Sequence, residues 1–171
     1  MKSKPNVFLL LSALAFGLSV GGGCGDKPKP KLPPIYDTQA DGTKLIADAL
    51  VIAQRDHKRV LVEFGANWCI WCHRLHTLLT TDPEIAAYFQ AHFILVLVDV
   101  NHRDGPARNV EVTRRYGDPE KNGIPGLVLL DTDGKPLKTQ DTGELESGDH
   151  YDHAKVMKFL TEWALQPHPT N

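Results

Sequence analysis

Glu63-Phe64-Gly65-Ala66-Asn67-Trp68-Cys69-Ile70-Trp71-Cys72-His73 joins a β-branched, apolar run to two cysteines separated by two residues. Arg59 to Gly65 reads as a strand, and the cysteines fall where the next helix begins. A Cys-x-x-Cys pair at a helix start can close a disulfide within one turn. The unpaired N–H groups there favour the thiolate of the first cysteine, which makes Cys69 the candidate nucleophile and Cys72 the candidate resolving thiol. Redox chemistry is the expectation that this stretch sets.

Working outward, Asp41 or Thr43 caps a helix with apolar positions Leu45, Ile46, Ala49, Leu50, Ile52 and Ala53, ending near Asp56. The helix after the cysteines is expected to run to about Thr80. Thr81-Asp82-Pro83-Glu84 then starts a second helical segment through Ala91. Phe93 to Val100 is a nearly continuous apolar run, read as a central strand buried on both faces. A helix is expected over about Pro106 to Tyr116, and a strand over Gly126 to Leu130. The turn Asp131-Thr132-Asp133-Gly134 leads into a partner strand from near Lys135. Asp141 to His150 is polar and reads as a loop that borders the active face or simply connects; a terminal helix spans about Asp152 to Leu165. This order predicts one α/β domain over 36–171, with a mixed central sheet and helices on both faces.

The beginning of the 171-residue chain has a different character. Lys2 and Lys4 precede an apolar stretch, Val7 to Val20, that is short for a membrane span and is followed by small residues. Residues 1–23 are therefore expected to be an export signal, of lipoprotein type, because Gly21-Gly22-Gly23-Cys24 resembles a lipobox with Cys24 as the lipidated residue. Leu, usual three residues before that cysteine, is replaced by Gly21. Residues 24–35 are rich in proline and lysine and read as an extended tether. The chain is accordingly expected to be exported, periplasmic and lipid-anchored to a bacterial membrane. A formal net charge of -2, with no basic stripe beyond the N-terminus, argues against nucleic-acid binding.

The order of strand, Trp-Cys-x-x-Cys helix, strand and helix, then Gly123-Ile124-Pro125 before a hairpin and final helix, resembles the thioredoxin superfamily over roughly Tyr36 to Leu165. Tyr36-Asp37, Phe64 to Cys69 and Tyr116 to Pro125 are most similar to exported bacterial thiol–disulfide interchange and disulfide isomerase-type proteins. The resemblance implies a thioredoxin fold, a cis-proline loop at Ile124-Pro125 that docks an extended substrate, and a shielding role for Trp68 beside the nucleophile. It places Glu63 where a buried acid, usually Asp, moves a proton for the resolving thiol; a solvent-facing Glu63 on an alternating strand is the other reading. Gly126, where threonine is common, is expected to leave room beside the proline.

The implied activity is exchange with protein thiols and disulfides, without a cofactor, served by a membrane or soluble redox partner. A reducing role is preferred, since a monomer suits a reductase and an isomerase would need an added dimerisation region. His73, if cationic, would make the pair more oxidising; otherwise it faces solvent. His92, His102, His150, His153 and His168 read as surface or loop residues. Three alternatives stand beside this reading. Cys69, Cys72, His73 and His76 share a helix face and would suit a copper-handling protein of the same fold. Cys69-Ile70-Trp71-Cys72-His73 also matches a c-type haem attachment signature, though after a strand and not within a helical pocket. A non-catalytic binding module is the third.

Overall fold

The computed structural model describes residues 32–165, Asp104 excepted. The expected signal over 1–23, Cys24, the first part of the tether and residues 166–171 lie outside the described residues. Asp41, rather than Thr43, caps α1 (Gly42–Asp56) by accepting from the backbone N–H groups of Thr43 and Lys44. β1 (Arg59–Gly65) leads to α2 (Ile70–Thr81) and α3 (Pro83–His92). One residue joins those two helices. The Asp82 N–H donates to Leu78 O at the end of α2, while its carboxylate accepts from Glu84 and Ile85 at the start of α3, where Pro83 needs no N–H partner.

β2 (Phe93–Asp99) runs parallel to β1, and after α4 (Val110–Arg115) the chain returns as β3 (Gly126–Leu130), antiparallel to β1 on its other side. β4 (Pro136–Gln140) pairs antiparallel with β3, so the order across the sheet is β2-β1-β3-β4. β1 and β3, not β2, are thus the central strands. The apolar run of β2 arises because helices cover its faces, and burial of faces is independent of whether an edge is paired. The expected helix from Pro106 begins only at Val110, after Asn109, whose backbone is left-handed.

Strand alternation sends side chains into two cores. Leu61, Leu127 and Leu129 pack with Leu75 and Leu79 of α2, Ile85 and Phe89 of α3, and Val156 and Leu160 of α5 (His153–Trp163). Val60, Val62, Phe64, Val98, Val128 and Leu130 point the other way, onto Ile46, Ala49 and Ala53 of α1 and Val112 of α4. Helices therefore lie on both faces of a mixed sheet, which is the expected thioredoxin fold. Each fully buried leucine contributes about 1.5–3 kcal/mol relative to an exposed one. Among the described residues, no helix is long and apolar enough to cross a membrane.

The segment expected as a polar loop is structured. Thr142–Leu145 forms a 3-10 turn, and β5 (Glu146–Ser147) pairs with β6 (His150–Tyr151) in a small hairpin. Buried Leu145 and Tyr151 anchor it in the first core, and the Thr142 hydroxyl donates to Pro125 O at 3.0 Å. It stands beside the loop that precedes β3.

The expected space at Gly126 is also filled. A Cβ there would lie 2.6 Å from Pro119 O and 2.9 Å from Glu120 N, both backbone atoms. Threonine's usual volume is taken by the loop itself. Gly126→Ala should therefore lower stability by about 1–3 kcal/mol, the usual cost of overpacking, read as a lower urea midpoint with an unchanged m-value.

Candidate active site

β1 delivers the chain to the site at Gly65, and Asn67 organises the turn that follows. Its side-chain oxygen accepts from the N–H groups of Ile35 and Tyr36, both at 2.8 Å, and its amide donates to Tyr36 O at 2.9 Å. The segment ahead of α1 is thereby pinned beside the cysteine loop. Cys69 then takes an extended conformation as the N-cap of α2, and its sulfur accepts from the Cys72 N–H at 3.1 Å. A sulfur in the place of a capping oxygen sits in the positive end of the helix dipole, which favours thiolate when the pair is reduced.

Cys69 and Cys72 are joined as a disulfide with Cα atoms 5.3 Å apart. Cys69 retains 5% exposure and Cys72 none, so an incoming thiol or disulfide has access to the first sulfur only. Ile124-Pro125 is cis, and Ile124 O lies 3.5 Å from the Cys69 sulfur. A groove of about 270 Å³ passes this point, lined by Trp71, Gly123, Ile124, Pro125, Thr142 and Glu146 among others.

Two tryptophans flank the pair. Trp68 donates from its indole N–H to Asn101 Oδ1 at 2.9 Å, meets His102 edge-on and lies under the Arg103 guanidinium. Trp71 meets Tyr151 edge-on and lies under Arg74. Both rings are fixed by several contacts and pack against the cluster that holds the disulfide. Trp68 and Ile124 pack against the cluster that holds Cys69, and Pro125 follows Ile124 through the cis bond. Trp71 and Asn67 were not foreseen as parts of the site, whereas the segment that holds the hairpin was read as a loop that borders the active face or simply connects.

Glu63 is fully buried, which decides against a solvent-facing side chain. Its Oε1 accepts from the Tyr36 hydroxyl at 2.6 Å, and its Oε2 has no hydrogen-bond partner among the described residues. Burial pushes this carboxyl up to about 8, against a smaller downward pull from the Tyr36 bond. Burial likewise raises the Tyr36 phenol far above its ordinary value, helped by the neighbouring Glu63 charge. Sequence gave no signal for this pairing, because the partners are 27 residues apart and joined only by the tertiary fold.

His73 neither faces solvent nor points at the cysteines. Its ring is buried, with Nε2 2.9 Å from Asn67 O. An axial haem ligand would need that nitrogen free, and the two sulfurs are bonded to each other. Among the described residues, no group of three or more His, Cys, Asp and Glu side chains is placed to hold a metal ion, the set Cys69, Cys72, His73 and His76 included.

The raised Glu63 acidity gives a test of its burial. Between about pH 4.5 and 8 the folded chain keeps a proton on Glu63 that the unfolded chain has lost. Stability from this group is therefore full below about 4.5, falls as pH rises and levels off above about 8. Glu63→Gln should remove that fall, so the variant gains on the parent by on the order of a few kcal/mol between pH 4.5 and 8 in urea titrations. An identical pH slope in both proteins would refute the burial.

A family model described as thioredoxin-like matches residues 43–132. A disulphide isomerase from Xylella fastidiosa Temecula1 has a similar structure, with a TM-score of 0.66 and 35% identity over 77% of this chain and 97% of that one. The disulfide bond reductase DsbH of Chlamydia pneumoniae is 32% identical over 97 residues, 53% of this chain and 57% of the relative. The thiol:disulfide interchange protein DsbD of Vibrio vulnificus is 26% identical over 105 residues, 61% of this chain but only 17% of the relative. With a disulfide capping α2, a cis-proline beside it and a buried acid beneath, the site has the form of a thiol–disulfide oxidoreductase's, and the chain belongs to the thioredoxin-like family.

Proposed function

We propose that the chain reduces protein disulfides outside the cytoplasm, with Cys69 as nucleophile and Cys72 as resolving thiol. The observation that carries this reading is the placement of the Cys69 sulfur, which accepts from the α2 N-terminus and lies 3.5 Å from Ile124 O beside the groove. Starting from the reduced pair, the Cys69 thiolate attacks a substrate disulfide. One substrate sulfur leaves as thiolate and takes a proton from water. Cys72 then loses its proton, with Glu63 as the base, and attacks the Cys69 sulfur. The mixed disulfide breaks, the second substrate sulfur leaves with its electron pair, and Cys69–Cys72 is oxidised. A dithiol partner, in the membrane or soluble, returns the two electrons.

Trp68, Ile124 and Pro125 are the substrate-binding residues in this scheme, the extended substrate lying along the 270 Å³ groove. The likeness to a relative named as a disulfide bond reductase supports the reducing direction. The charged start, the apolar stretch Val7 to Val20 and Gly21-Gly22-Gly23-Cys24 support export, lipidation of Cys24 and a Pro/Lys tether over 24–35 that holds a monomeric domain off the membrane.

Cys69→Ser should abolish turnover of a disulfide-bonded protein substrate while leaving the far-UV spectrum and Tm close to the parent's. Cys72→Ser should instead accumulate substrate as a mixed disulfide on Cys69, visible by mass. Retained turnover in Cys69→Ser would sink the assignment. The reduction potential, read by thiol trapping in dithiothreitol buffers, should fall near thioredoxin's value of about -270 mV; a value near about -120 mV would reverse the direction.

A further inference from the structure

We infer that the Tyr36 hydroxyl carries the proton between Cys72 and Glu63 in the resolving step. The inference rests on the Cys69-first order proposed above and adds a residue to it. Three observations support it. Tyr36, Cys69 and Cys72 form one buried cluster, with no exposed atom on Cys72. A Cβ built on Gly65 would overlap the Tyr36 hydroxyl and lie 2.7 Å from the Cys72 sulfur, so both atoms crowd the one small space that a side chain there would fill. From that space the hydroxyl already donates to Glu63 Oε1 at 2.6 Å.

The sheet neighbours of Glu63 are Leu97 and Leu127, which cannot balance a charge. The other titratable groups that face the pair are Cys72, Asp99 and Tyr151. Asp99 is engaged by Arg108 and the Asn101 N–H. Tyr151 meets Trp71 edge-on. Glu63 is titrated into the range of an ordinary thiol, about 8 against about 8.5, a near match that makes transfer between the two cheap in either direction. The phenol resists ionisation, so it serves as a neutral relay, taking one proton as it gives another.

The step balances as follows. With Glu63 ionised, a form that a value of about 8 leaves populated near neutral pH, the Cys72 S–H bond breaks and its proton passes to Tyr36 Oη, while the phenol's own proton passes to Glu63 Oε1. The Cys72 thiolate forms the bond to Cys69 Sγ, the Cys69–substrate S–S bond breaks, and its electron pair leaves on the substrate sulfur. The proton left on Glu63 returns by the same route when the pair is reduced again. Tyr36 keeps its position through the bonds between its backbone and Asn67, two residues before Cys69. The hydroxyl is thus referenced to the loop that holds the nucleophile.

The test uses full-length reduced protein in a Cys24→Ser background, so that only Cys69 and Cys72 react with 5,5′-dithiobis(2-nitrobenzoate). The first thionitrobenzoate released reports attack by Cys69, and the second reports resolution by Cys72. Tyr36→Phe should leave the first phase within about twofold and slow the second at least tenfold, within the usual range for a positioned proton carrier. Glu63→Gln should do the same, and Tyr36→Phe/Glu63→Gln should be no slower than Glu63→Gln alone, since both act in one relay. An unchanged second phase, an equal slowing of both phases, or multiplying effects in the double variant would each overturn the relay. Absence of the first phase in the parent would instead overturn the Cys69-first order. Should Tyr36→Phe fail to fold, the parent's second phase in mixed H2O and D2O decides: a bowed dependence on deuterium fraction supports two protons in flight, and a straight line overturns it.

Discussion

A single sulfur atom closes the first turn of α2 and also stands 3.5 Å from the carbonyl of Ile124, a residue that lines the groove. As N-cap, Cys69 must take an extended backbone and turn its sulfur back toward the Cys72 N–H. That geometry fixes the spacing of the pair, because the residue three positions on is the one whose N–H the cap accepts. It also requires β1 to end close to the helix start, and hence a sheet in which β1 is central and a tight turn is fixed by Asn67. The order β2-β1-β3-β4 meets that demand by placing the cis-proline loop, which precedes β3, directly beside the end of β1.

Beneath the sulfur, the fold accepts a costly feature. A carboxyl with no ion pair and one unpartnered oxygen among the described residues is tolerated because burial favours its neutral form. Burial that would be a defect elsewhere gives Glu63 a proton affinity close to a thiol's. The two tryptophans pack against the disulfide, and the hairpin over 146–151 is tied to the same region through Tyr151, which meets Trp71 edge-on. The local chemistry and the local packing are products of the same desolvation.

Much of this was legible from the residues alone. Helical spacing in α1 and β-branched content in β1 marked elements and their order, the cysteine spacing marked the chemistry, and the family came from the resemblance carried by Trp68 to Cys72 and Gly123-Ile124-Pro125. β2 was misplaced to the centre because an apolar run reports covered faces and carries no information on which edge is paired. The hairpin over 146–151 escaped because its two anchors, Leu145 and Tyr151, are single apolar residues among acids, with no period to read. Glu63 was singled out by the position that the resemblance assigns to a buried acid, whereas Tyr36 as its partner depends on how an upstream segment is folded back by Asn67. Gly126 misled for a similar reason: an absent side chain suggests space, but a backbone carbonyl from Pro119 occupies it.

The bonds made by Asn67 bear on how the domain moves. Because its side chain holds both Ile35 and Tyr36 and its own carbonyl meets His73, the approach to α1, the cysteine loop and the first turn of α2 share one fastener. Such segments cannot fray independently; releasing one removes the partners of the others, and they open as one cooperative unit. Tension applied through the residues ahead of Ile35 would reach the disulfide before it reached either hydrophobic core, which makes the entry to the domain a mechanical part of its reactive loop.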